Sequence, residues 1–166
     1  MRPGRREFLE QQVPGISFDQ MYQQASAGIQ GVMKAFALPP KVPTREAYEA
    51  ALAKREKLRA AVRGYFEAQG VVALVFPPIL IPPPKIGEET EAEIRGKKVP
   101  LVAAIGRNIA LGNCASLSSL VLPAGMTLDG LPVGIEFDAP SGKDRDLLGL
   151  GLSLEKALGA VPGPKI

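Results

Sequence analysis

The sequence predicts an α/β fold, and three observations carry that prediction. Apolar residues recur at helical spacing over residues 17–36 and again over 44–69, a continuous apolar, β-branched run fills 71–76, and two further apolar runs flank the turn dipeptide Asp129-Gly130. With 166 residues, 46% of them hydrophobic, there is about one domain's worth of chain and enough apolar surface for a core.

Taken in order, the first helix starts at Ser17. Its hydroxyl can accept from the backbone of Gln20 while the Gln20 side chain reaches back, and Ile16 can pack onto Met21. Phe18, Met21, Tyr22, Ala25, Ile29, Val32, Met33 and Phe36 then keep to one helical face. Gly28 and Gly31 interrupt it, so a break into two helices is expected near Ser26, with Pro39-Pro40 ending the segment. A second helix is expected from about Thr44 to Gln69. Tyr48, Ala51, Leu52, Leu58, Val62, Tyr65 and Phe66 form its stripe, and Gly70 suits a left-handed C-terminal cap.

Residues 71–76, apolar throughout, are expected as a strand covered on both faces in the middle of a sheet. The prolines of 77–84 remove ladder donors and predict an extended connection rather than a ligand for a proline-binding module. The charged stretch 88–98 predicts an exposed hairpin turning at Gly96-Lys97, with 99–104 returning to the core. Residues 120–122 and 131–135 read as neighbouring antiparallel strands about Asp129-Gly130. Ser141-Gly142-Lys143-Asp144 has the form of a capping box, and the helix it opens carries Leu147, Leu148, Leu152, Leu154 and Leu158 before ending near Gly159. In domain terms this gives an N-terminal extension (1–16), one body (17–159) and a Pro/Gly tail (160–166), with no internal repeat.

Composition narrows the function. The net charge is only +3, the basic residues alternate with acids, and aromatics make up 5%, so no nucleic-acid partner is expected. No apolar run approaches the roughly 18 residues of a membrane span, and none of signal-peptide length follows the basic N-terminus. A single cysteine, Cys114, fits a reducing compartment, and the expectation is cytoplasmic. The absence of histidine excludes Ser-His-Asp and Cys-His catalysis and histidine-dependent metal sites within these residues.

Several weaker signals have simpler structural readings. Ser153-Leu154-Glu155-Lys156 has the Ser-Xaa-Xaa-Lys spacing, but its companion elements are missing, so Lys156 reads as an exposed helix residue. Gly149-Leu150-Gly151 lacks the third glycine of a dinucleotide loop and suits close packing of a helix on a sheet. Asp138, Asp144 and Asp146 read as capping or surface acids rather than metal ligands. Cys114, with no histidine to activate it, reads as a small buried hydrophobe.

Residues 112–136 carry a more specific pattern. Asn113 precedes a small-residue segment, a strand follows into Pro123-Ala124-Gly125, and Gly130-Leu131-Pro132-Val133-Gly134 opens the next strand. Further on come Asp144, Leu147-Leu148 and Leu154-Glu155; upstream stand Tyr48, Ala51-Leu52 and Leu74-Val75-Phe76-Pro77. In this ordered set the chain resembles the C-terminal portion of amidase-signature hydrolases, with most similarity to bacterial mandelamide and indoleacetamide hydrolases. It departs from the family pattern at Ser118, where proline is usual, and at Pro78, where threonine is common.

The resemblance implies the C-terminal part of a three-layer fold with a mixed sheet and packed helices. It implies a parent activity of hydrolysing a carboxamide, of the arylacetamide or indoleacetamide kind, through an acyl-serine, with no metal or organic cofactor. That chemistry requires a nucleophilic serine, a relaying serine, a neutral lysine and backbone oxyanion donors. The segments that supply them in the family have no counterpart here, since no Gly-Gly-Ser-Ser-Gly-like stretch occurs. No catalytic residue is therefore assigned, and Ser116, Ser118 and Ser119 read as capping or packing residues. By resemblance, Arg107, Asn108 and Asn113 are candidates for a substrate-pocket wall; the alternative for them is backbone hydrogen bonding in an irregular loop. The partners implied are a small amide substrate and either the N-terminal part of an amidase or a second copy of the chain, the latter two because the apolar run 71–76 needs cover.

Overall fold

The computed structural model describes residues 8, 11–13, 15–36, 43–87 and 90–160. Two compact units divide the chain, Met1–Tyr48 and Glu49–Ile166.

The first unit contains α1 (Phe18–Gln24) and α2 (Ala27–Phe36). The capping box forms as the sequence predicts: the backbone N–H of Gln20 donates to Ser17 Oγ at 3.1 Å and that of Ser17 to Gln20 Oε1 at 2.8 Å. The expected break falls at Ala25 and Ser26, where the Gln30 amide donates back to the Ala25 carbonyl at 3.0 Å. Pro39-Pro40 lies outside the described residues. The next helix, α3 (Arg45–Gln69), is capped by Thr44 and closed by Gly70 at a φ of 62°.

The second unit holds a three-stranded antiparallel sheet of β1 (Leu74–Phe76), β4 (Ser118–Met126) and β5 (Pro132–Ala139) in the order β1-β5-β4. A two-stranded ribbon, β2 (Glu91–Ile94) and β3 (Lys97–Pro100), leads into α4 (Leu101–Ala115), and α5 (Asp144–Leu158) closes the chain. Strand β4 pairs along nearly its whole length with β5, which puts Leu120 opposite Phe137 and Ser119 opposite Asp138. A bulge between Pro123 and Gly125 carries β4 on to Met126, so the Pro-Xaa-Gly segment bends the strand instead of ending it. The connection at 127–131 is closed by Thr127, whose side-chain oxygen and backbone N–H both bond to Leu131.

Alternation along β5 separates two environments. Phe137 and Ala139 face Leu147 of α5, with Leu120, Leu122, Ile135, Leu150 and Leu154 around them. Gly151 allows the helix this close, because a Cβ there would run into Leu120 Cδ2. The sequence reading of Gly149-Leu150-Gly151 as a packing feature therefore holds at Gly151. Gly112 of α4 lies over the opposite face, which carries Glu136 and Asp138.

Five local expectations are corrected. The strand expected at 71–76 is shorter and lies at the sheet edge; Val72 is 72% exposed and Val75 53%, because among the described residues only β5 pairs with it. The hairpin turns at Arg95-Gly96, one residue earlier than expected, because both adopt positive φ, 52° and 75°, as a tight two-residue turn requires. Residues 101–115, expected partly as a core-returning run and partly as irregular loop, form one helix, whose Gly106 and Gly112 hid its periodicity. Ser141 does not cap α5: the Lys143 N–H bonds to the Pro140 carbonyl, the chain turns at Gly142, and the helix begins at Asp144 without a side-chain cap. Cys114 is exposed, since its position on α4 points away from the sheet that buries Gly112 and Ala115.

Among the described residues no helix is long and apolar enough to cross a membrane. Leu147 is only 4% exposed at the centre of the packing against Phe137 and Ala139. Leu147→Ala is expected to cost about 2–5 kcal/mol, read as a lower midpoint in denaturant at unchanged slope.

Candidate functional site

Helix α4 positions the candidate residues. Asn108 points toward the start of the proline segment, and its Nδ2 donates to the Pro77 carbonyl at 2.7 Å. One turn earlier, Ile105 lines an apolar cavity of about 510 Å³ with Thr127, Pro132, Val133, Gly134 and residues 78–84. The proline segment, which has few backbone donors of its own, is thus pinned over the cavity by a side-chain amide. Gly134 is needed beneath it: a Cβ there would sit 3.0 Å from Val121 Cγ1 and 3.6 Å from Pro78 Cγ.

Arg107 and Asn113 do not join Asn108. At about 100° per residue along a helix the three point in separate directions. Arg107 and Asn113 are exposed and neither lines this cavity. Of the three residues singled out by resemblance, Asn108 alone is tied to the cavity's architecture.

Composition and periodicity did not foreshadow a second cluster. Asp138, read from sequence as a capping or surface acid, is completely buried, because it lies on the central strand of the sheet beneath α4. Its Oδ1 accepts from Ser119 Oγ at 2.5 Å, across the β4–β5 pair. Its Oδ2 has no hydrogen-bond partner among the described residues, and a Cβ on Gly112 would come within 2.9 Å of it. Two residues earlier on the same face, Glu136 is 5% exposed, and its Oε2 is likewise unpartnered among the described residues. Burial, then the charge of Asp138, raise the Glu136 carboxyl above its ordinary value. The available signal was the strand spacing of Glu136 and Asp138, which puts both on one face of a strand whose other face is apolar.

Ser116 and Ser119 have side-chain partners, and Ser118 is packed inside the strand. Ser116 ends α4 in a left-handed conformation at φ 56° and accepts from both Arg55 and Arg59 of α3; Arg55 Nε also donates to the Cys114 carbonyl at 3.0 Å. These cations sit where the carbonyl end of a helix favours positive charge. Ser118 is buried within β4. Among the described residues no lysine amine bonds to a serine hydroxyl; the bonded ones, Lys98 and Lys143, pair with Glu91 and Asp146. Ser119 therefore faces a carboxyl group without the lysine that would activate it in this chemistry. No group of three or more metal-ligating side chains occurs among the described residues.

The amidase family profile matches residues 26–148, most of the chain and all of the strands and helices around the cavity and the carboxyl pair. The chain belongs to the amidase family. It is 30% identical over 154 residues to an indoleacetamide hydrolase of Agrobacterium vitis, an alignment covering 92% of this chain and 33% of that protein. It is also similar to a mandelamide hydrolase of Pseudomonas putida, at 27% identity over 98% of this chain and 33% of that one. A crystal structure of an amidase superposes with a TM-score of 0.70 at 27% identity, over 86% of this chain and 31% of the other. The chain spans about a third of the length of these relatives. An α/β amidase fold, the mixture of helices and antiparallel strands described above, accounts for this amidase chain as its sequence predicted.

Two predictions follow from the carboxyl pair. Gly112→Val is expected to destabilise the protein by about 2–3 kcal/mol, since the new side chain must displace a buried carboxylate, whereas Gly106→Ala, facing open space, is expected to be neutral or stabilising by up to ~1 kcal/mol. Thermal melts compare the two. Because the Glu136 carboxyl is raised in the folded state, the fold holds more protons than the unfolded chain just above the ordinary value of 4.5, so this group's contribution to stability falls as pH rises from there. Glu136→Gln is expected to flatten that decline and to raise the melting temperature at pH 7 more than at pH 4, in a pH series of melts.

Proposed function

We propose that the chain is the C-terminal portion of a carboxamide hydrolase of the arylacetamide or indoleacetamide class, and that it contributes a substrate wall rather than the reacting groups. The observation that carries this reading is the apolar cavity beneath the proline segment, with Asn108 holding its roof and Ile105 and Val133 on its walls. At about 510 Å³ it falls in the size range of pockets that enclose a small aromatic compound, and its apolar lining suits an aryl group. The names of the relatives, indoleacetamide hydrolase and mandelamide hydrolase, support the same substrate class. Arg107 and Asn113 keep a place as outer-wall residues only if further chain folds against the exposed side of α4.

Hydrolysis of such an amide passes through an acyl-serine, which needs a hydroxyl activated by a neutral lysine and donors for the oxyanion. Neither group is recognisable in these residues, so the isolated chain is expected to release no ammonia from phenylacetamide or indoleacetamide in a coupled ammonia assay. Turnover that survives replacement of Ser116, Ser118 and Ser119 by alanine, or any turnover abolished by one of those changes, refutes the reading.

A second, non-catalytic reading is favoured by the sheet edge. Among the described residues strand β1 has one bonded neighbour, and Val75 within it and Val72 before it are exposed. An edge of that kind invites a strand from another chain. The N-terminal part of an amidase is the occupant proposed, and self-association is its competitor. Sedimentation at increasing concentration, with and without a co-expressed N-terminal amidase part, separates them, and a strictly monomeric chain that ignores that part counts against both.

A further inference from the structure

Away from the proline-roofed cavity, the second unit contains a pocket of different chemistry. Arg55, Arg59 and Arg63 follow one another at four-residue intervals on α3 and so share a face. Arg59 and Arg63 line a cavity of about 370 Å³ together with Glu56, Ser116 and Ser141. The rest of its lining is apolar and includes Phe66, which is 4% exposed, with Val62, Leu117 and Pro140. In that lining two guanidinium groups, those of Arg59 and Arg63, are set against the carboxylate of Glu56, which pairs with Arg59 Nη1 at 2.7 Å and is itself largely exposed. The Arg59 Nε–H is cut off from solvent without an acceptor among the described residues, and Arg63 has no hydrogen-bond or ion-pair partner among them.

We infer that this pocket binds a small monocarboxylate with an apolar body. A carboxylate matches the planar fork of a guanidinium: Arg63, which has no partner among the described residues, offers that fork, and Arg59 joins it where Glu56 yields Nη1. Phe66, Val62, Leu117 and Pro140 give the body of the ligand a surface on which to lose water. The volume lies near the lower end for ligand pockets and suits a single-ring acid. Glu56 occupies the position of a competitor: its carboxylate holds part of Arg59 and must yield to the ligand. This site is independent of the proposed hydrolysis, because none of its residues lines the other cavity and its occupancy needs no turnover.

Isothermal titration of the 166-residue chain in a phosphate-free buffer tests the assignment, with phenylacetate as ligand and acetate, inorganic phosphate and phenylacetamide as comparisons. Phenylacetate is expected to bind saturably at one per chain. Acetate and phosphate, which lack the apolar body, and phenylacetamide, which lacks the charge, are each expected to bind at least about tenfold more weakly. Arg63→Gln is expected to weaken phenylacetate by about tenfold without lowering the melting temperature, and Glu56→Gln to tighten it by freeing Arg59. The inference is overturned if phenylacetate gives no saturable heat, if phenylacetamide or phosphate binds equally well, or if Arg63→Gln leaves its affinity unchanged, which would put the ligand in another cavity.

Discussion

Strand β5 has a bonded neighbour on each edge and packing on each face, and its strict alternation gives those faces opposite chemistry. Phe137 and Ala139 close the apolar layer under α5, while Glu136 and Asp138 are driven beneath α4. A one-residue slip in its pairing would exchange the two sets, placing two carboxyls against Leu147 and an aromatic ring under Gly112. The long β4–β5 register and the Ser119–Asp138 bond across it oppose such a slip. Helix approach on both sides depends on it as well: Gly151 meets Leu120 on one face, and Gly112 meets Asp138 on the other.

The buried carboxyls make this arrangement expensive. Each leaves one oxygen without a partner among the described residues, and an unmet buried acceptor costs on the order of 1–3 kcal/mol. Protonation of Glu136 relieves part of the repulsion, in keeping with its raised affinity for a proton. The amidase relatives are about three times as long as this chain.

Helix α4 links the two halves of the functional argument. Its Asn108 fixes the proline segment over an apolar cavity, its Gly112 admits the carboxyl pair, and its C-terminal end at Ser116 is clasped by Arg55 and Arg59. The resemblance in the 112–136 block led to this helix and to the family, yet the helix itself was hidden in the sequence. Gly106 and Gly112 lower its propensity, and its start lacks a side-chain cap. Asp138 was hidden for a different reason. An isolated aspartate in sequence is most often solvated, and only pairing with a serine on the neighbouring strand makes its burial tolerable.

The sequence by itself determined the elements whose signals are local: the capping box at Ser17, the break before α2, α3 with its Gly70 cap, and the antiparallel pair about Asp129-Gly130. It also determined the family, through an ordered set of residues rather than any single motif. Tertiary structure alone decided that β1 lies at an edge, that Glu136 and Asp138 share a buried face, and that Asn108 parts company with Arg107 and Asn113. Periodicity reports which residues of one segment lie together, but burial and partnership depend on what a distant segment places against them.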